Sequence, residues 1–422
     1  ILAPLSWANA GLPAAGQHLD SQSPETLSAS QTQLPELPQV GVGTVHTCGR
    51  RPDGTLLCWG LPYDGRTIAP PGVFAQVSVG YNYACALRYD GSIICWGMDG
   101  WYQVTVPPAG TFSQISCGGY FSCALRTDGS AVCWGVPWGS PPAGTYSQLS
   151  AGGYHSCALK PDQTLACWGS NSYGQAVPAP GVFTQISAGY DFNCGVRPDG
   201  TLTCWGKPGA LDPPPGVLFK QVDTGESFAC GITLDDDLRC WGTTYEERSI
   251  PPLGKFASLS LSGPHACAVR TNGTLTCWGR NNAGQAPRIT LTPATLPNGL
   301  VGTPYHQTLS ASGGKAPYTY APIAGEWPPD FSLSASGELE GNPAYGGVYR
   351  FTLGATDSFT MPFSIEKAYT LTIDGPTVPP TPTTTPTATD TATPTETPTM
   401  TPTETPTTTP TETATATPTS TP

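Results

Sequence analysis

Charge is scarce in this chain of 422 residues: 11% is Asp, Glu, Lys or Arg, with 18 Lys plus Arg against 30 Asp plus Glu. A surface so poor in cations offers no basic patch, which disfavours nucleic acid and anionic lipid as partners. Histidine occurs five times. With no serine elbow, no phosphate loop and no carboxylate pair placed by a motif, no catalytic constellation emerges, and no cofactor or metal is implied. Only paired acids meeting inside a channel would leave room for an enzyme, and sequence carries no geometry for them. No apolar run is long enough to span a bilayer as a helix.

Cysteine, by contrast, is abundant and ordered. Seven times a Cys is followed after nine residues by Cys-Trp-Gly: Cys48 to Cys58, Cys85 to Cys95, Cys123 to Cys133, Cys157 to Cys167, Cys194 to Cys204, Cys230 to Cys240 and Cys267 to Cys277. The copies follow one another every 34 to 38 residues, a period that marks a solenoid, propeller or array. Between the cysteines stand turn residues such as Pro52-Asp53-Gly54, the chemistry of a three-residue hairpin loop. Gln163 and Asp237 replace that Gly in two copies, which predicts mild strain there. Counting outward pairs Arg51 with Thr55 and sets Cys48 opposite Cys58, within reach of a cross-strand disulfide. The alternative is seven pairs of reduced core thiols; zinc fits poorly, because the spacing lacks a four-ligand pattern. Each bridge closes a loop the hairpin already closes, so about 1 to 3 kcal/mol is expected from each. Such a framework points to an oxidising compartment. The fifteenth cysteine, Cys117, stands where sister copies have Val79, Ala151 and Ala188, and reads as a small buried residue.

Upstream of each pair runs an alternating strand closed by Gly, as in Phe112-Ser-Gln-Ile-Ser-Cys-Gly118. After Cys-Trp-Gly come a variable loop, a short extended piece such as Gln103-Val-Thr-Val106 and a Pro-Pro-x-Gly link. Four short strands per copy make a propeller blade, and seven blades close a ring. With Asn171 to Gln175 and Asn281 to Gln285, these residues resemble the regulator of chromosome condensation repeat in a Cys-Trp-Gly variant, over about residues 35 to 288. The resemblance implies an all-β, seven-bladed β-propeller. That family includes a nuclear exchange factor, a secreted β-lactamase inhibitor and bacterial surface proteins, and no residue here carries the exchange activity over.

Strand counting assigns the faces. The turn before each first Cys and the loop after each Cys-Trp-Gly share one face, where Tyr63, Tyr81, Trp101, Tyr102, Tyr120, Trp138, Tyr154, Tyr173, Tyr190 and Tyr245 collect as candidate binding residues. The alternative is that many of these rings pack on neighbouring blades. The other face carries Asp53, Asp90, Asp128, Asp162, Asp199 and the run Asp235 to Asp237, with an Arg or Lys two positions before most of them; this reads as a ring of locally neutralised turns. His46, Tyr83, Phe121, His155, Phe192, Phe228 and His265 occupy one repeat position, and the interchange of His with Phe and Tyr argues for packing. The seven Trp are expected between blades.

The flanks differ. Residues 1–34 read as the remnant of a signal peptide, with cleavage after Ala10, and a disordered leader. Residues 289–375 show short alternating strands with turn signals, a small immunoglobulin-like β-sandwich similar to cadherin-related modules of bacterial surface proteins. They hold no Cys. Asp330, Glu338, Glu340 and Asp357 leave calcium binding open there, as the run Asp235 to Asp237 does in the propeller. Residues 376–422 are almost wholly Thr and Pro with scattered acids, which predicts a disordered polyproline II stalk reaching roughly 145 Å and open to O-glycosylation. The reading is a non-catalytic, secreted cell-surface protein whose propeller recognises a protein or glycan. The alternatives are a secreted inhibitor of an extracellular enzyme and a self-associating subunit of a surface layer or fibre.

Overall fold

The computed structural model describes residues 38–136, 139–207, 212–243 and 248–377. The leader at residues 1–34, Trp138, Tyr245 and the stalk from Val378 onward lie outside the described residues.

The repeats form seven antiparallel three-stranded sheets. Blade 1 comprises Gln39–Val42, His46–Arg50 and Leu56–Gly60, and blade 2 comprises Gln76–Val79, Tyr83–Leu87 and Ile93–Gly97. The pattern repeats to blade 7, with Phe256–Ser262, His265–Arg270 and Leu275–Gly279. Inner strands of successive blades lie side by side, and blade 1 meets blade 7, closing the ring. The expected register holds: Cys48 stands opposite Cys58, and the Arg51 amide donates to the Thr55 carbonyl at 2.8 Å. All seven expected disulfides form, with Cα atoms 4.0–4.1 Å apart. Cys117 is free and buried, and burial pushes its thiol up to about 11.

Two expectations need correction. A blade has three strands, not four. The stretch Gln103-Val-Thr-Val106 cannot pair as a strand because the Asp99 carboxylate already takes the amides of Val104 and Thr105, at 2.7 and 3.2 Å. The prolines that follow have no amide to offer a ladder. In blade 6 the left-handed residue that replaces Gly is Asp236 (φ 68°), not Asp237; Gln163 (φ 65°) holds that position in blade 4 as expected.

What joins the blades is a zipper around the channel. The Gln76 side chain donates to the Ile115 carbonyl of the next blade (3.0 Å) and accepts from the Ile115 amide (2.9 Å). Gln114 does the same to Leu149, Gln148 to Ile186 and Gln185 to Val222. Two residues on, Ser78, Ser116, Ser150 and Ser187 each accept from an amide of the following blade, at 2.9–3.1 Å. Asp223 takes that place in blade 6 and accepts from Leu261 at 2.7 Å, and Ser260 closes the ring on Val42 at 3.2 Å. Among the described residues lining this part of the channel, Asp223 is the one carboxylate.

From Thr290 to Asp374 the chain folds into a sandwich. One sheet orders Gly299–Leu300, Ser364–Asp374, Gly347–Thr356 and Thr319–Gly325; the facing sheet orders Tyr305–Thr308, Glu338–Gly341 and Phe331–Leu333. Tyr305, Phe331, Leu339, Phe351, Leu353 and Leu371 fill the space between them, and this core runs without a break into Val269, Leu275 and Cys277 of blade 7.

Candidate functional site

Beneath the looped face the seven residues of the His46 position are all buried. Three of the four polar rings here meet polar partners of the next blade, His265 Nε2 meeting Thr47 Oγ1 at 2.7 Å, Tyr83 meeting Ser122 Oγ at 2.9 Å and His155 Nε2 meeting Asn193 Oδ1 at 2.8 Å, whereas the next blade gives His46 an alanine, Ala84. Phe192 and Phe228 stand where the next blade has Ala229 and Ala266. Burial lowers His46 to about 3, with the Arg66 charge adding to it, His155 to about 4 and His265 to about 3. These histidines are neutral packing groups.

Above them four of the expected aromatics close the channel mouth. Tyr81 stacks on Tyr190 with ring centres 6.0 Å apart and meets Tyr120 edge-on at 5.6 Å; Tyr154 meets Tyr190 edge-on at 5.2 Å. The hydroxyls of Tyr154 and Tyr190 lie 3.1 Å apart. Burial drives the Tyr81 hydroxyl well above its ordinary pKa, and the bond to Tyr154 does the same for Tyr190. Each ring spends much of its surface on the others, so these four form a plug.

The remaining described aromatics are presented outward. Tyr63, Trp101, Tyr102 and Tyr173 are 66, 54, 71 and 47% exposed. Their loops are held from inside. In blade 2 the buried Gln103 accepts from the Trp101 amide at 2.8 Å, and Asp99 accepts from Val104. In blade 4 the buried Gln175 accepts from Tyr173 at 2.8 Å, and Asn171 accepts from Ala176 at 3.0 Å. Blade 1 puts Arg66 in the glutamine's place, donating to the Tyr63 carbonyl, Asn82 and Asp64 at 2.7–2.8 Å. The next blade's tryptophan then grips the loops of blades 1, 2 and 7, Trp96 donating to the Arg66 carbonyl, Trp134 to Gln103 and Trp59 to Gln285, whereas in blade 4 Asn193 Nδ2 donates to the Gln175 carbonyl at 2.9 Å. Tyr102 sits at φ 61°, where the sister loops have Gly65, Gly174 and Gly284. A bulky residue in this region costs roughly 1 to 2 kcal/mol.

The opposite face is self-satisfied. Asp53 Oδ1 accepts from the amide and hydroxyl of Thr55, and Asp90, Asp128, Asp162 and Asp199 do likewise with Ser92, Ser130, Thr164 and Thr201. Those hydroxyls are the main reason the carboxyls sit below their usual range. The arginines expected to neutralise these turns are second to them: Arg88, Arg126, Arg197 and Arg270 lie over Phe74, Phe112, Phe183 and Phe256 at 4.8–5.7 Å. Of the calcium candidates, Asp236 pairs with Lys220, Asp237 with Lys255, Glu338 and Glu340 with His306, and Asp357 accepts from the amides of Lys315 and Phe363. Among the described residues no group of three or more His, Cys, Asp or Glu is placed to hold a metal.

The looped face thus joins a plugged channel, four outward aromatics and rigid loops that differ between blades. Sequence reasoning missed the anchors Gln103, Gln175 and Arg66, although their fixed distance after Cys-Trp-Gly was a usable signal.

Comparison with known proteins supports this architecture. The model described as "Regulator of chromosome condensation (RCC1) repeat" matches residues 74–100, 112–136, 146–175, 183–209 and 256–285, and that described as "Putative Ig domain" matches 287–374. The chain therefore carries repeats of this type followed by an Ig-like domain. Among solved structures it is similar to the CRINKLY WD40 ectodomain of the receptor kinase ACR4 from Arabidopsis thaliana, at 25% identity and a TM-score of 0.52, covering 60% of this chain and 99% of that one. It is also similar to the entire ectodomain of the receptor kinase CR4 from Physcomitrella patens, at 25% identity and a TM-score of 0.53, covering 61% and 76%. No curated protein sequence matches the chain.

Proposed function

We propose that the protein is a non-catalytic extracellular binding module whose looped face recognises a protein or glycan at a cell surface. One observation carries the reading: Tyr63, Trp101, Tyr102 and Tyr173 are exposed on loops whose own polar groups are fixed by buried side chains. Aromatics held rigid lose little conformational freedom on contact, which makes them effective anchors. Tyr102 occupies a glycine position at the cost of backbone strain, as residues at binding sites often do. Seven disulfides suit an oxidising compartment, and the two ectodomain structures named above share the fold. Among the described residues no helix is long and apolar enough to cross a membrane.

The test is binding of the full chain to a panel of extracellular polysaccharides and cell-surface proteins, beside a variant with Tyr63, Trp101, Tyr102 and Tyr173 changed to Ala. Affinity should fall at least about a hundredfold in the variant, as expected for loss of several anchors, and stay unchanged in Asp128→Ala on the other face. Undiminished binding by the fourfold variant would refute this face as the site.

A further inference from the structure

At six seams of the propeller the chain itself fills the gap between blades. Phe74, Phe112, Tyr146, Phe183, Phe219 and Phe256, each closing a Pro-Pro-x-Gly-type link, are buried. The amide of each donates to a hairpin carbonyl of the preceding blade, Gly54, Gly91, Gly129, Gln163, Gly200 and Asp236 in turn, at 2.8–2.9 Å. Two of these rings rest on a glycine of the middle strand: an added Cβ would lie 2.6 Å from Phe183 at Gly195 and 2.5 Å from Phe219 at Gly231. The corresponding glycine of blade 1 is Gly49, and the atom over it belongs to the sandwich, Met361, whose Cε lies 2.5 Å from such a Cβ.

We infer that the sandwich closes the propeller, its Asp357–Glu366 loop and strand performing at the seam between blades 7 and 1 the work that the interblade aromatics perform elsewhere. The substitution extends beyond Met361. Arg126, Arg197 and Arg270 donate to the carbonyls of Ala109, Pro180 and Leu253 in the links; the equivalent Arg51 donates to Thr360 Oγ1 at 2.8 Å. Leu275 at the start of the outer strand of blade 7 donates to the Pro362 carbonyl at 2.8 Å and bridges Phe363 in parallel. Phe363 also meets Trp59 of blade 1 edge-on at 5.4 Å, so one residue reaches both blades' outer strands, by its backbone on blade 7 and by its ring on blade 1. Arg270 and Glu366 add an ion pair at 2.7 Å, nearly buried on both sides. The loop is shaped for this: Asp357 accepts from the Phe363 amide at 2.8 Å and from Lys315 at 3.0 Å. All blades draw their three strands from consecutive sequence, so no shared blade locks the ring, and the seventh seam needs a closure of another kind.

The test uses the full chain, with hydrogen exchange read blade by blade. Met361→Ala should raise exchange at least about tenfold in His46–Arg50 and Leu275–Gly279, through local opening of the seam, while His155–Leu159 of blade 4 keeps its protection. Met361→Phe, which installs the residue of the other seams, should keep blades 1 and 7 protected. Increased exchange confined to the sandwich strands, or an equal loss in all blades, would overturn the inference. If Met361→Ala does not fold, Met361→Leu decides: raised exchange at the seam supports closure, and unchanged blades 1 and 7 refute it.

Discussion

The two faces of the propeller use polar groups in opposite ways. On the hairpin face the aspartates of blades 1 to 5 each spend an oxygen on their own turn, copy after copy, and the result is a repeated unit with little left to offer. On the looped face the polar groups also point inward, but what they hold in place is a set of rings that differ from blade to blade. Repetition within one chain therefore separates scaffold from presentation. Where the copies agree, the chemistry is closed; where they diverge, side chains face outward.

Acid should separate the faces most strongly. His46, His155 and His265 lie under the looped face with pKa values of about 3, 4 and 3. A base whose folded value lies below its unfolded value of about 6.5 contributes stability that is complete above that pH and lost as pH falls toward the folded value. Three such groups amount to on the order of several kcal/mol. Asp223, raised to about 6 by burial, acts in the opposite sense, destabilising the fold as it ionises on the way up, and offsets part of this. The hairpin aspartates are depressed, so their contribution persists until pH falls below about 3.9. Circular dichroism against pH should show loss of structure beginning below about pH 6, and hydrogen exchange should show the looped face opening first. His46→Phe, which copies the Phe192 and Phe228 positions with an alanine in the next blade, should move the midpoint to lower pH. A midpoint unmoved in that variant would remove the histidines as the cause.

Next in size is the loss of an anchor. Gln103→Ala leaves the Trp101 amide without its acceptor and should cost about 1 to 3 kcal/mol in thermal unfolding. Ligand affinity should fall with it, although no exposed ring has been touched. Unchanged affinity would mean that the loops need no internal support.

A matched pair of glycine substitutions is sharper still. Tyr102 and Gln163 hold the same backbone region on opposite faces, and Tyr102→Gly and Gln163→Gly should each stabilise by about 1 kcal/mol. Only the first should weaken binding. The smallest effect is expected from Asp128→Ala, an exposed turn: a shift in Tm of about 2 °C or less and no change in binding. A loss of binding there would erase the distinction between the faces.

Much of this was legible because a repeat makes its own comparison. Seven copies define, from sequence alone, the Cys48–Cys58 register, the faces and the common packing role of His46, Tyr83 and Phe121. What could not be read was distance across the ring. Tyr81 and Tyr190 lie 109 positions apart yet stack face to face, and only closure of the propeller brings them together. The fourth strand failed for a local reason, since Asp99 captured the amides a ladder would have used. The glutamines of the inner strands looked like the polar half of an alternating pattern, and their grip on the next blade depends on the channel being narrow. Met361 gave no signal, because its target belongs to another fold unit.

The disulfides have a consequence for how the molecule is made. Each joins residues ten positions apart within one hairpin. As a chain emerges, both thiols of a pair are available before the next pair exists, and the hairpin turn sets them face to face. Except at Cys123, which has the free Cys117 six positions before it, the correct partner is thus the nearest in sequence and the first in time, so six of the seven bridges can form in order with little need for the reshuffling that wrong pairings require.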